Sequence, residues 1–108
     1  MYDIILKNGL VLDGRGNKAK KANVAIFSDS IALVTDKEIA RARTVIDCTG
    51  KYVAPGFIDG HTHTDFLLLN DEKASPRVGQ GITTDISGNC GIGVFPYTNP
   101  ILKTMVQD

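Results

Sequence analysis

Both histidines of the chain stand in one tripeptide, His61-Thr62-His63, and a cysteine follows further on in Gly88-Asn89-Cys90-Gly91. Imidazole and thiolate are donors for divalent cations, and a mixed nitrogen and sulfur set suits Zn²⁺ best. If the His-x-His segment is extended, side chains two residues apart project to the same side, so the two imidazoles aim at one point. The competing reading makes the histidines two polar residues of a turn, and Cys90 a small buried hydrophobe. Context favours the metal. The pair directly follows a short apolar strand, Phe57-Ile58-Asp59, and Cys90 follows a second, Ile82–Ile86, at the matching end. Parallel barrels place their active sites at the C-terminal ends of such strands. The glycines flanking Cys90 permit unusual backbone angles and close approach.

Two carboxylates share the parity of the histidines. Asp59, one step deeper in the strand, either orients an imidazole from behind or is a strand-end group bonded to backbone, and the sequence leaves both open. Asp65, two residues past His63, faces the same cavity as a supporting or substrate-side group, or else stands as an exposed loop carboxylate. Nothing polar converges on Cys48, which is read as a small core residue. The opening Met1-Tyr2-Asp3-Ile4 carries no export signal, so Cys48 and Cys90 are expected as two thiols in a cytoplasmic protein.

The elements that must position these groups fall into two parts. Residues 1–54 read as short strands and turns. Asp3–Leu6 and Leu10–Leu12 flank Lys7-Asn8-Gly9, where Asn-Gly is a strong hairpin signal. Asn23–Phe27 and Ile31–Val34 bracket Ser28-Asp29-Ser30 as a second hairpin, and Val45–Cys48 closes an antiparallel set. Lys37–Arg43 is charged and contains alanine, as one helical turn would. Residues 55–108 differ: the strand at Phe57–Asp59, a loop and short helix within Phe66–Val78 with Pro76 at or before its first turn, and the strand at Ile82–Ile86 form a strand, crossover, strand unit, hence a parallel pair. Asn99-Pro100 then reads as a helix start before the apolar face of Ile101–Val106.

Composition narrows the partners. Hydrophobic residues make up 43% of the 108 residues and charged ones 22%, an ordinary balance for a globular domain. Twelve Lys and Arg offset twelve Asp and Glu, so no net field favours nucleic acid or an anionic membrane. Lys18, Lys20 and Lys21 read as a solvated turn. No apolar run approaches a membrane span. A closed parallel barrel needs eight strand-helix units and roughly 200 residues or more, so the chain is expected to be the N-terminal piece of a longer protein. Its unpaired sheet edges and apolar positions such as Ile82, Ile86, Ile92 and Val94 predict self-association of the piece.

Val53-Ala54-Pro55-Gly56-Phe57-Ile58-Asp59-Gly60-His61-Thr62-His63 resembles the first barrel-strand signature of the amidohydrolase superfamily, hydrolases of amides and related bonds with a mono- or dinuclear metal centre. Asn8–Gly14, Ala22–Ile26 and Val45–Lys51 are similar to the N-terminal strands of the small β-sandwich beside the barrel in that superfamily. Gln80-Gly81-Ile82-Thr83-Thr84 followed by Gly88-Asn89-Cys90-Gly91-Ile92 is similar to the N-acyl-D-amino-acid deacylases. Asp65 matches them as well, while Thr64 stands where they commonly have Asp. The resemblance implies an α/β protein: part of a β-sandwich over 1–54 and the first strand-helix units of a truncated TIM-like (β/α)8 barrel over 55–108. It implies His61, His63 and Cys90 as ligands of one or two Zn²⁺ ions and an N-acyl amino acid as the small-molecule substrate. The general base and the other ligands would lie beyond Asp108, leaving no catalytic base in the chain and the piece inactive alone. Two alternatives stay open: a cyclic-amide hydrolase akin to dihydroorotases and hydantoinases, and a non-catalytic β interaction module.

Overall fold

The computed structural model describes residues 1–68, 71 and 73–93. The chain divides into two compact units, Met1–Pro55 and a second beginning at Gly56. The first unit is a five-stranded sheet of β1 (Tyr2–Val11), β2 (Lys20–Phe27), β3 (Ser30–Thr35), β4 (Ala42–Asp47) and β5 (Tyr52–Val53). Its strand order is β3-β2-β1-β4, with β5 also paired to β1. Apolar residues at the centre supply the core: Ile5, Val24 and Ala25 are buried, with Ala22 and Cys48 beside them. Cys48 thus has the core role expected of it, and both cysteines are free thiols. On the outer strands Ile31, Val34 and Val45 remain exposed.

Asn8-Gly9 does not turn the chain. β1 runs straight through it, and the register against β2 slips between Leu6 and Gly9, which is a bulge. Asn8 takes the positive φ of 64° that the bulge needs, and its N–H donates to Asn23 Oδ1 at 2.8 Å. Gly9 is required for another reason: a Cβ there would lie 2.5 Å from Val53 Cγ2, because β5 packs against it. The hairpin signal was a signal for positive φ, which a bulge uses equally well.

The set is mixed rather than antiparallel. β2 and β3 form the expected hairpin, but β4 and β5 both lie parallel to β1, one after the other along the same edge. The break between them is a turn at Thr49-Gly50, where Gly50 has φ 75° and the Asp47 carboxylate accepts the Thr49 N–H and hydroxyl at 3.0 and 2.7 Å. The helical turn expected within Lys37–Arg43 is absent. Residues 36–41 instead carry the chain from β3 to β4, and the Lys37 carbonyl accepts a bond from the buried Asn23 amide at 3.0 Å.

The second unit contains β6 (Phe57–Asp59), α1 (Thr64–Leu68), α2 (Ser75–Val78), β7 (Ile82–Asp85) and a 3₁₀ turn at Asn89–Gly91. β6 and β7 pair in parallel, as a strand, crossover, strand unit requires. They approach closely at the start of the pair, where a Cβ on Gly56 would fall 2.1 Å from Thr83 Oγ1. Pro76 sits in the first turn of α2, where its missing N–H costs no helical bond. Ile86 and Ile92 are exposed and Ile82 half-buried, while Val94 and the helix start at Asn99-Pro100 lie outside the described residues.

Candidate metal centre

His61, Thr62 and His63 lie just past the end of β6, not within it. The alternation survives nonetheless. Thr62 is buried, and its hydroxyl pairs with that of Thr64 at 2.6 Å and accepts the Thr64 N–H at 3.2 Å, so its two neighbours are both turned outward. The ladder between the strands also continues into the loops: Ile86 N–H donates to the Asp59 carbonyl at 2.9 Å, and Thr62 N–H to the Ile86 carbonyl at 3.2 Å.

Cys90 arrives from the other side. The 3₁₀ turn that carries it is entered through Gly88 at φ 76° and left through Gly91 at φ 70°, and Cys90 itself has φ 58° and ψ 20°. A left-handed conformation in a residue with a Cβ costs on the order of 1–2 kcal/mol and persists only where its surroundings hold it. Asn89 ties the turn down. Its side-chain amide donates to the Ile86 carbonyl at 2.7 Å and to the Thr62 carbonyl at 3.3 Å, joining the cysteine turn to the histidine loop.

The result is a cluster of three donors. One ligand atom each from His61, His63 and Cys90 lies within 4.8 Å of the other two, and Cys90 Sγ is 3.4 Å from His61 Nε2. The imidazole rings stand 6.0 Å apart at 74° to each other. Tetrahedral Zn²⁺ with bonds of about 2.0 Å to nitrogen and 2.3 Å to sulfur separates nitrogen from sulfur by about 3.5 Å, so the donor types and the 3.4 Å between Cys90 Sγ and His61 Nε2 fit this cation. All three residues are exposed, which leaves room for further ligands.

The two carboxylates take other positions. Asp59 holds backbone rather than an imidazole: it accepts the His61 N–H at 3.1 Å and pairs with the Arg77 guanidinium. The Arg77 bond, then the His61 N–H, keeps the Asp59 carboxyl below the usual carboxylate range. Asp65 neither stands exposed in a loop nor joins the three-donor cluster, because α1 begins at Thr64 and ends the extended alternation; only 5% of Asp65 remains accessible. Arg77 and Asn89 were not singled out by their sequence context. Arg77 had one weak signal, in that it and Lys73 are the only Lys or Arg between Asp59 and Asp85.

Residues 44–104 match the model of a family described as amidohydrolase. D-aminoacylase from Alcaligenes xylosoxydans xylosoxydans is 41% identical over 101 residues, which cover 92% of this chain and 21% of the relative. A solved D-aminoacylase with a binuclear metal centre superposes with a TM-score of 0.84 at 43% identity, covering 92% of this chain and 21% of that one. N-acyl-D-glutamate deacylase from Bordetella bronchiseptica, solved with zinc and a phosphonate inhibitor that mimics the tetrahedral intermediate, gives a TM-score of 0.82 at 34% identity, covering 92% and 21%. The chain therefore spans about a fifth of the length of the relatives it matches.

Proposed function

We propose, from the premise that this chain belongs to the amidohydrolase family, that it contributes part of the metal site of an enzyme cleaving the amide bond of N-acyl-D-amino acids to a carboxylate and a free D-amino acid. The observation that carries this reading is the convergence of His61, His63 and Cys90 at the ends of two parallel strands. Likeness to D-aminoacylase and to the zinc-bound deacylase supports amide hydrolysis and this substrate class. The membrane plays no part in the proposal, and among the described residues no helix is long and apolar enough to cross one. A cytoplasmic setting suits the two free thiols.

In this reading His61, His63 and Cys90 hold one or two Zn²⁺ ions, with the remaining ligands and the proton-shuttling base supplied by the rest of a TIM-like barrel. A cation held by these residues would lower the pKa of water toward neutrality and would polarise a carbonyl oxygen. The chain's own part is to fix the donors before the ion arrives: Thr62 turns both imidazoles outward, and Asn89 sets the height of the Cys90 turn. Pre-set ligands spend less of the binding free energy on ordering.

Release of free D-amino acid from an N-acetyl-D-amino acid tests the proposal. The whole protein should release it in the presence of zinc and prefer the D over the L enantiomer, and Cys90→Ala should abolish release. The 108-residue chain alone should release none. Turnover by the whole protein that survives Cys90→Ala overturns the assignment of the site.

A further inference from the structure

One side chain joins three elements of the second unit, α2, β6 and β7. Arg77, on α2 in the crossover, sends Nη2 to Asp59 at the end of β6 and to Asp85 at the end of β7, the second at 2.8 Å. A single nitrogen therefore bridges the last residues of the two strands that carry the histidine loop and the cysteine turn. Asp59 passes the restraint on directly, because its other oxygen accepts the His61 N–H at 3.1 Å. Asp85 immediately precedes Ile86, whose carbonyl accepts both the Thr62 N–H and the Asn89 amide. Both arms of the bridge thus end one bond from a segment that carries a donor.

We propose that Arg77 is a positioning residue of the metal centre: by gripping Asp59 and Asp85 at once it locks the ends of β6 and β7 in register, so that His61 and His63 meet Cys90 at ligand spacing. The inference rests on the metal reading above. It gives Arg77 a role in cation affinity although it cannot itself be a ligand, its guanidinium being permanently positive.

The arrangement has physical reasons to matter. Two carboxylates at adjacent strand ends would repel each other and splay the pair, and one cation between them reverses the sign of that interaction. The side chains are partly shielded, with 22% of Arg77, 31% of Asp59 and 21% of Asp85 accessible, so screening by solvent is incomplete. The β6–β7 ladder is short, with three residue pairs and a register irregularity between Phe57 and Ile58, so few backbone bonds oppose a slip. In metal sites generally, removing a group that orients the ligands lowers affinity by about 10–100-fold.

Titration of the whole metal-free protein with Co²⁺ under reducing conditions tests this, with the thiolate-to-cobalt absorption band as readout and Cys90→Ser as proof that the band belongs to Cys90. Arg77→Met keeps the aliphatic stem and removes both bonds. It should raise the apparent Kd for Co²⁺ by about tenfold or more, within the range quoted for orienting groups, while the band returns to full intensity at saturating cobalt. Arg77→Lys should recover most of the affinity, because one nitrogen makes both contacts and an ammonium can replace it. Asp85→Asn weakens only the β7 arm and should give an intermediate loss, which keeps the inference testable should Arg77→Met fail to fold. Wild-type affinity in Arg77→Met or in Asp85→Asn overturns the clamp and leaves the metal site standing. A missing Cys90-dependent band in the unaltered whole protein overturns the metal reading and the clamp with it.

Discussion

Cys90 offers the sharpest test of whether this loop is shaped for chemistry, because its backbone and its side chain make opposite demands. At φ 58° and ψ 20° it occupies left-handed space that glycine enters freely, yet the residue present carries a Cβ and an exposed thiol whose observed contact is His61 Nε2. Relief of that conformation is worth on the order of 1–2 kcal/mol. Against it stands the extra entropy glycine loses on folding, roughly 0.5–1 kcal/mol. Cys90→Gly should therefore stabilise the metal-free second unit by about 0.5–1 kcal/mol relative to Cys90→Ala, which keeps the strain and removes the same sulfur. The Ile86 amide, bonded to the Asp59 carbonyl at 2.9 Å, reports opening of this unit in hydrogen exchange with a chelator present. Protection there should rise about two- to fivefold in the glycine variant over the alanine variant, since 1.4 kcal/mol is about tenfold. Neither variant should show the cobalt–thiolate band. Equal or lower protection in Cys90→Gly would refute the idea that the turn stores strain for the sake of its sulfur.

His61→Ala and His63→Ala each remove a donor outright, so each should weaken Co²⁺ binding beyond the about 10–100-fold typical of orienting groups, as read by the same titration. Gly9→Ala drives a Cβ to 2.5 Å from Val53 Cγ2 and should cost about 1–3 kcal/mol in urea unfolding of the first unit, with part recovered when Val53→Ala is added. Asp47 has its carboxyl held below the ordinary range, first by the Thr49 hydroxyl and then by the Thr49 N–H. Its folded-state pKa is thus depressed, so its contribution is present above the unfolded value of about 3.9 and is lost as pH falls through the folded one. Asp47→Asn should flatten the acid limb of the urea midpoint below about pH 4 without changing its shape near neutrality.

The site was more legible in the chain than the sheet that precedes it. Two residues apart in an extended segment means the same side whether or not the segment is paired, so the outward turn of His61 and His63 followed from spacing alone. The same rule failed two residues later, where α1 begins at Thr64 and takes Asp65 into a buried position. Alternation holds only while the backbone stays extended. Asn8-Gly9 shows a different limit: the dipeptide demands positive φ, but whether that makes a turn or a bulge depends on β4 and β5 lining the same edge of β1, which no local pattern encodes. The parallel placement of those two strands was hidden for the same reason. Arg77 was obscure because a lone basic residue after a proline looks like solvated surface. Only the pairing of β6 with β7 brings Asp59 and Asp85 together for it to bridge.

X-ray absorption at the zinc edge of the metal-loaded chain tests the shared site most directly. One sulfur at about 2.3 Å and two imidazole nitrogens at about 2.0 Å are expected, with the sulfur lost in Cys90→Ser. A first shell of nitrogen and oxygen alone in the unaltered chain would contradict the meeting of His61, His63 and Cys90 on one ion.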